Sequence, residues 1–556
     1  MGKIDQKLSG PDYSSPVTGG DFRLKELSIH SPSNDFAQSL DTPSAFIELN
    51  IFEDLFSNVL KGTFTFLDTQ GLAERIPIVG DETLILSWLT PGGEGTQTDV
   101  ASSNLTSQTA SEEAVKQRFK IYDCVEIGTE ERSKIYKLFF VSEEYLFSSK
   151  MKVSKGYKTT YSNVVKDVLG KMNKNVRNDI VKKSFVEETA TPQNLIIPNW
   201  EPLRAINFCA SRSLSADIED QEQTDGAPNQ SPKPLGSLFV FYEKLGTGFF
   251  YESIESMIIK QKNLNQIPLF QYAPKLAGGR SQNVGFDYST VSKFDVKSSF
   301  KTLDSLNNGL FGSKLIAYDP IRMKYDEIKF DYYRQKNNTT ERRNPRTGVT
   351  ETTENPENLT DDGFRRFNDF IAMDISKIDK KQNKMISSSS DFLGSNDAEI
   401  KLATTTRSHD AMFNPVRDKR DANTTSNTAK TTTTIGVTTD TFKDLEAKPN
   451  NVEEWLLQRQ AQLHEFGSVI VNFTVSGNSA RHVGDLVRFE LPTNIPDDDT
   501  NVSGAVKVGH QLYSGLYLIS KIRHKITKDV YDMDMELIKN SFAQRIPGQV
   551  TDERTE

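Results

Sequence analysis

Residues 46–51 read Phe-Ile-Glu-Leu-Asn-Ile, and the same two-residue alternation recurs in short runs near both ends of the chain. In FIELNIFEDLF (46–56), Ile47, Leu49 and Ile51 alternate with Glu48 and Asn50. That is the period of a half-buried strand. GTFTFLD (62–68) and TLILSW (83–88) follow, then FKIYDCVEI (119–127) and KIYKLFFVSEEYLF (134–147), which flank a polar turn at 128–133 and predict an antiparallel hairpin. Residues 91–116 are Gly, Ser, Thr and Glu with almost no large apolar side chains, the composition of a long surface loop. These segments define a first β domain over 21–150, preceded by an N-terminal arm at 1–20 rich in Pro and Gly.

The middle of the chain changes period. In YSNVVKDVLGKM (161–172), Val164, Val165, Val168, Leu169 and Met172 share one helical face. EPLRAINFCASRS (201–213) places Pro202 in the first turn, with Leu203, Ile206 and Ala210 at helical spacing. LFVFYE (238–243), the turn KLGTG and FFYES (249–253) make a second hairpin, so 151–284 is expected to be a mixed α/β domain. Short strands return in SKFDVKSSF (292–300), SKLIAYDP (313–320) and DEIKFDYY (326–333). Residues 336–451 are a polar Thr/Asn-rich insertion whose composition cannot offset its own ordering entropy, interrupted by a short helix expected near 363–373.

A helix begins near Asn450, where Asn450 and Glu453 match a capping box and Trp455, Leu456, Leu463 and Phe466 supply the expected buried face. Alternating runs then close the chain: SVIVNFTVSG (468–477), DLVRFELP (485–492), GLYLISKIRHK (515–525) and VYDMDMELIK (530–539). Residues 285–335 plus 452–545 are assigned to a second, discontinuous β domain, with 546–556 as a C-terminal tail. The expected fold class is mainly β with an α+β insert: two related antiparallel β-barrels, a mixed α/β domain and long extended linkers.

Composition closes off several function classes. The net charge of −9 over 556 residues argues against a protein that grips nucleic acid by its phosphates. Two cysteines, Cys124 and Cys209, are too few for a disulfide scaffold or a cysteine-ligated metal, and both sit in patterns that suit small buried apolar roles. No apolar run approaches the roughly 18 residues of a membrane helix, and the N-terminus carries no signal-peptide or myristoylation pattern. The expectation is a soluble, cytoplasmically made protein with no lipid anchor. The histidines at 30, 409, 464, 482, 510 and 524 show no close metal spacing. Asp497-Asp498-Asp499 lacks the alternation of a calcium loop, and Gly92-Gly93-Glu94-Gly95 lacks the Lys of a P-loop. The adjacent pairs Glu143-Glu144 and Glu453-Glu454 are unspecific, so spacing alone leaves a two-carboxylate glycosidase open. No catalytic, cofactor-binding or metal residue is assigned.

The two β-rich ends also share an order of features. The first runs strand (63–67), Gly71, loop, Gly80-Asp81, strand, long polar loop, hairpin. The second runs strand (469–475), Gly477, loop, Gly484-Asp485, strand, polar loop (493–510), hairpin. Hairpins joined by Gly-rich turns look alike anywhere, but the repeated order points to an internal duplication. Two similar modules per chain would give a trimer six similar units around its axis.

On these patterns the sequence resembles the central baseplate hub proteins of contractile-tailed, T-even-like bacteriophages. IFEDLFSNVLKGTFTFLDTQGLAERIPIVGDETLILSW (51–88) looks like the first tube-like barrel of such hubs. PNWEPLRAINFCASRS and SLFVFYEKLGTGFFYESIESMI (198–258) look like the helix-then-hairpin middle domain. The runs between Trp455 and Phe542 look like the second tube barrel. The hub-motif positions so marked are Gly62, Asp68, Pro77, Gly80 and Asp81 in the first module, and Gly477, Gly484, Asp485, Pro492, Gly515 and Tyr517 in the second. The resemblance covers about two thirds of the chain; the loops at 91–116 and 336–450 are longer than a minimal hub needs.

The resemblance implies a non-enzymatic virion protein in the tail baseplate, made in the host cytoplasm. It would be a homotrimer that matches the sixfold tail tube to a threefold central spike and lines part of the DNA conduit. Implied partners are the central spike protein, tail tube or tube-initiator proteins, and surrounding baseplate wedge proteins reached through the long insertions. DNA would be met only in transit, and no membrane is implied. Two alternatives stay open at this stage: the hub of a bacterial contractile injection system, and a tail-associated peptidoglycan hydrolase.

Overall fold

In the computed structural model of the chain, the described residues fall in 20–31, 36–39, 45–90, 115–173, 182–216, 236–272, 288–298, 312–319, 324–331, 339–343, 350–354, 400–404, 452–492 and 510–541, with breaks of a few residues inside several of these stretches. Pro77, Gly92–Gly95, His409, Asn450, Asp497–Asp499 and the helix expected at 363–373 lie outside them.

The first β module contains β1 (Arg23–Ser31), β2 (Phe36–Ser39), β3 (Phe46–Asp54), β4 (Lys61–Asp68), β5 (Thr83–Leu89), β6 (Val115–Glu130) and β7 (Ser133–Ser142). They pair in the order β2-β1-β5-β6-β7-β4-β3, antiparallel throughout. Alternation places Phe64, Phe66, Leu84, Leu86, Trp88 and Leu138 in the core. Ile47 departs from the expected alternation and is exposed. The register of β3 against β4 shifts between Phe46 and Glu48, and this bulge restores Leu49 and Ile51 to the buried face.

The hairpin strand expected over 134–147 stops at Ser142, and α1 (Glu143–Lys150) takes over. The face it buries is Glu143, Glu144 and Ser148, which no apolar pattern announces. The rest of the middle domain holds β8 (Val153–Thr159), α2 (Tyr161–Asn173), β9 (Lys183–Val186), β10 (Gln193–Trp200), α3 (Pro202–Ala210), β11 (Phe239–Lys244), β12 (Gly248–Ser253) and α4 (Ile254–Asn263). It has its own core, in which Val165, Val168 and Met172 of α2 and Leu203 and Ile206 of α3 pack with Phe239 and Tyr251 of the β11–β12 hairpin.

The second β module begins earlier than residue 285. β13 (Leu269–Tyr272) pairs parallel with β14 (Thr290–Ser298). After α5 (Val452–Phe466) come β20 (Val469–Ser476), β21 (Leu486–Glu490), β22 (Gly515–Thr527) and β23 (Tyr531–Lys539). The pairings β13-β14-β20-β23-β22-β21-β13 close a six-strand barrel. Between β14 and α5, β15 (Gly312–Asp319) and β16 (Lys324–Asp331) do not join it. They form a separate sheet with β17 (Thr339–Arg343), β18 (Thr350–Glu354) and β19 (Ile400–Thr404), ordered β18-β17-β16-β15-β19. Among the described residues, 336–451 therefore contribute β17, β18 and β19 where linkers were expected. The strand-forming tendency of their threonines is realised on the edges that β15 and β16 offer. On α5, Trp455 and Phe466 are buried as expected but Leu463 is exposed, and Leu457 and Ala461 take its place inside.

Candidate assembly surface

Superposing the pairing registers shows how far the duplication extends. Ile121 opposes Phe140, and after a bulge Asp123 opposes Phe139. Ile519 opposes Leu537, and after a bulge Lys521 opposes Glu536. The register shift between Phe46 and Glu48 in β3 recurs between Val291 and Lys293 in β14. Phe64 of β4 opposes Leu49, as Phe473 of β20 opposes Phe294. Thus β3, β4, β5, β6 and β7 repeat as β14, β20, β21, β22 and β23, with two bulges in matching places. The sixth slot is filled differently: β1 runs antiparallel to β5, and β13 runs parallel to β21.

The repeat also corrects the motif alignment. In the first module Val79 N and Gly80 N donate to the Glu82 carboxylate at 2.9 Å each. In the second, His482 N donates to Asp485 at 3.0 Å. The residue that closes the first turn is therefore Glu82 and not Asp81, which is exposed and lies 3.3 Å from Lys120. Glutamate's extra methylene lets it reach two amides where aspartate reaches one.

The remaining motif positions serve the same scaffold. Gly62 has no room for a side chain, because a Cβ would lie 2.2 Å from the Phe140 ring. A Cβ on Gly477 would meet the Tyr531 ring at the same distance, 2.2 Å. Asp68 accepts from Ala73 N at 3.0 Å. Gly80 and Gly484 hold left-handed turns at φ +98° and +83° that favour glycine. Gly515 opens β22, Pro492 is exposed just after β21, and Tyr517 is buried with its hydroxyl on Tyr513 O at 2.6 Å. These residues are spread over two modules and do not converge on one chemical centre. Among the described residues, no group of three or more His, Cys, Asp or Glu is arranged to hold a metal ion. Nor is any helix there long and apolar enough to cross a membrane. Cys209 is buried, which pushes its thiol up to about 12.

What does converge is the joint between modules. β22 is longer than its partner β21: residues 515–518 pair with β21, and Lys521–Thr527 pair with β3 of the other module. Across that joint Arg523 reaches Glu48 at 3.1 Å and Asn50 at 2.9 Å. At its end lies Glu53, fully buried. Its carboxylate accepts from Leu245 N (3.0 Å) in the middle domain and Val483 N (3.2 Å) in the second module. His482 Nδ1 and His524 Nε2 lie at 3.3 Å and 3.4 Å. Burial alone would raise the pKa of Glu53. The two imidazoles outweigh it and hold the carboxyl well below the usual carboxylate range.

Two further clasps fix the middle domain. Lys182 sits 2.6 Å from both Glu144 and Glu243. Glu243 also accepts from Gln117 (2.9 Å), Ser142 (2.6 Å) and Leu60 N (3.1 Å) of the first module. Burial would depress the Lys182 ammonium; the paired carboxylates hold it above its ordinary value. Arg459 of α5 donates to the carbonyls of Ala210, Ser237 and Phe239 at 3.0–3.2 Å, and its burial lowers its pKa to about 10. Sequence reading missed Glu53, His524, Lys182, Glu243 and Arg459. For the first two a signal existed: Glu53 continues the inward series Leu49, Ile51, and His524 stands between Ile522 and Ile526. A charged or titratable group in an apolar register is a buried junction waiting for partners.

No protein-family model matches the chain, and comparison with curated proteins gives no match either. Solved structures do resemble it distantly. The tail protein from Neisseria meningitidis MC58 is 10% identical, covering 93% of this chain and 96% of that one, with a TM-score of 0.42. The 43 kDa tail protein of prophage MuSo2 from Shewanella oneidensis is 9% identical over 93% and 98%, at 0.39. An Escherichia coli component of the type VI secretion system is 8% identical over 94% and 77%, at 0.32.

Proposed function

We propose that this chain is a structural subunit of a contractile tail: a hub whose copies ring an axis and match a sixfold tail tube to a threefold central spike. One observation carries the reading. Five strands and two bulges recur, and the two copies of the motif are joined edge to edge through β22 and β3. A chain built of two like units placed side by side supplies six such units when three chains close a ring. Tube and tube-initiator proteins would meet one rim of that ring and the spike the other, with wedge proteins outside. The net charge of −9 suits a passage in which DNA is not retained, since phosphate contacts would hold it.

Light scattering on the purified full chain, alone and with its spike protein, tests this. The expected result is a trimer that binds the spike. A chain that stays monomeric in every mixture overturns the reading.

A further inference from the structure

The first module carries an edge for which the second module already has a partner. β22 leaves β21 where Ile519 N bonds Asp485 O at 3.0 Å, bulges, and continues as the stretch that pairs with β3. β6 does the same. It leaves β5 where Ile121 N bonds Glu82 O at 3.0 Å, bulges, and continues to Glu130. Beyond Ile121, however, its side away from β7 faces no strand among the described residues. The repeat gives the missing mate an address. β3 corresponds to β14, and β14 pairs with β13 only at Thr290 and Val291; beyond them its outer side faces no described strand.

We infer that β6 of one copy pairs antiparallel with β14 of the next, in the register of the β22–β3 joint. This deepens the ring reading above and rests on it. His524 opposes Ile51, Lys525 opposes Asn50 and Ile526 opposes Leu49. Carried over through the shared registers, Glu126 opposes Val296, Gly128 opposes Asp295 and Thr129 opposes Phe294 of the next copy.

Two independent features fit a covered edge. Tyr122, Val125 and Ile127 are 50%, 45% and 57% exposed, an apolar cluster along a strand whose edge would otherwise invite aggregation. The charges are also complementary, with signs opposite to those of the joint within the chain. There β22 brings Lys521, Arg523 and Lys525 against Glu48 and Asp54 of β3. Here β6 brings Asp123 and Glu126 towards a strand carrying Lys293, Asp295 and Lys297, the last of which also lies 3.1 Å from Glu536. The change of sign penalises one wrong match, because β6 on β3 in the same register would set Asp123 against Asp54.

The test is a cysteine pair, Gly128→Cys with Asp295→Cys, in the full chain with Cys124→Ser. A Cβ at Gly128 meets nothing within 4 Å, and Asp295 is exposed, so neither change disturbs the core. Mild oxidation is expected to give covalent dimers and trimers on a non-reducing gel. Gly128→Cys with Lys297→Cys, displaced along the strand beyond disulfide reach, is expected to give few or none. Light scattering of the reduced proteins separates the two failures. A trimer with no in-register cross-link, or with equal cross-linking from both pairs, overturns this seam and leaves the ring standing. The edge would then belong to a different protein. A monomer overturns the ring itself.

Discussion

The two β modules share five strands and two bulges but differ in how they fill the sixth position. In the second, β13 runs parallel to both neighbours and closes a six-strand ring; in the first, β1 runs the other way and carries β2 on its outer edge. The joint within the chain is made by two of the repeated strands, the long bulged β22 and the β3 it docks on, and the inferred seam would use their counterparts β6 and β14. The strand in the sixth position is free to vary because it serves only its own module. Pairing between modules is not, because its register must match a second surface.

The largest effect expected is at the joint. Glu53→Ala leaves two imidazoles and two amides facing a void, and truncating one member of a buried charged group costs about 3–5 kcal/mol. Urea denaturation would show it. The native pKa of Glu53 lies below its unfolded one, so its stabilisation is whole above the ordinary value of 4.5 and drains away as pH falls below it. The native chain should therefore lose more stability than Glu53→Ala on acidification from pH 5 towards 3. Equal slopes would remove the carboxylate from the account.

Next comes a matched pair in the cores. Phe64 and Phe473 are 0% and 2% exposed at equivalent rungs, and each Phe→Ala change should cost about 3–5 kcal/mol. If the joint makes the modules one cooperative unit, calorimetry of either variant should keep a single main transition for both. Two separated transitions would show that the modules fold alone.

A smaller effect sharpens the comparison at one rung. Gly62 faces Phe140 where Val471 faces Leu537, a small-plus-large pair against two of middle size. Gly62→Val should cost about 1–3 kcal/mol by overpacking. Phe140→Leu in the same chain should recover part of it, as a double-mutant cycle would measure. Smallest are the turn closers: Glu82→Ala and Asp485→Ala should each cost about 1 kcal/mol in thermal melts. Glu82 should cost more, since it holds two amides.

Much of this was legible in the sequence. The inward faces of α2 and of most strands follow directly from apolar spacing, because a single period decides them. The misreadings fall where something distant decides. Ile47 turns outward because β4 imposes a bulge. Glu143 and Glu144 leave the strand because Lys182, far along the chain, makes burying Glu144 tolerable. The threonines of β17 and β18 lie in strands because β16 offers an edge, which composition cannot foresee. The residues that close the turns were the least visible. Gly80-Asp81 matched Gly484-Asp485 as text, while the working equivalence, Glu82 with Asp485, is one residue out of step and appears only in the hydrogen bonds.

β22 is a splint. Its first residues are a stave of one barrel and its last are the outer rung of the neighbouring sheet, with no break between them. A hinge is thereby designed out. The modules cannot swing about a loop, and any relative tilt must shear a ladder of main-chain bonds all at once. Force arriving at one module is handed on to the other, as it would be through a riveted plate.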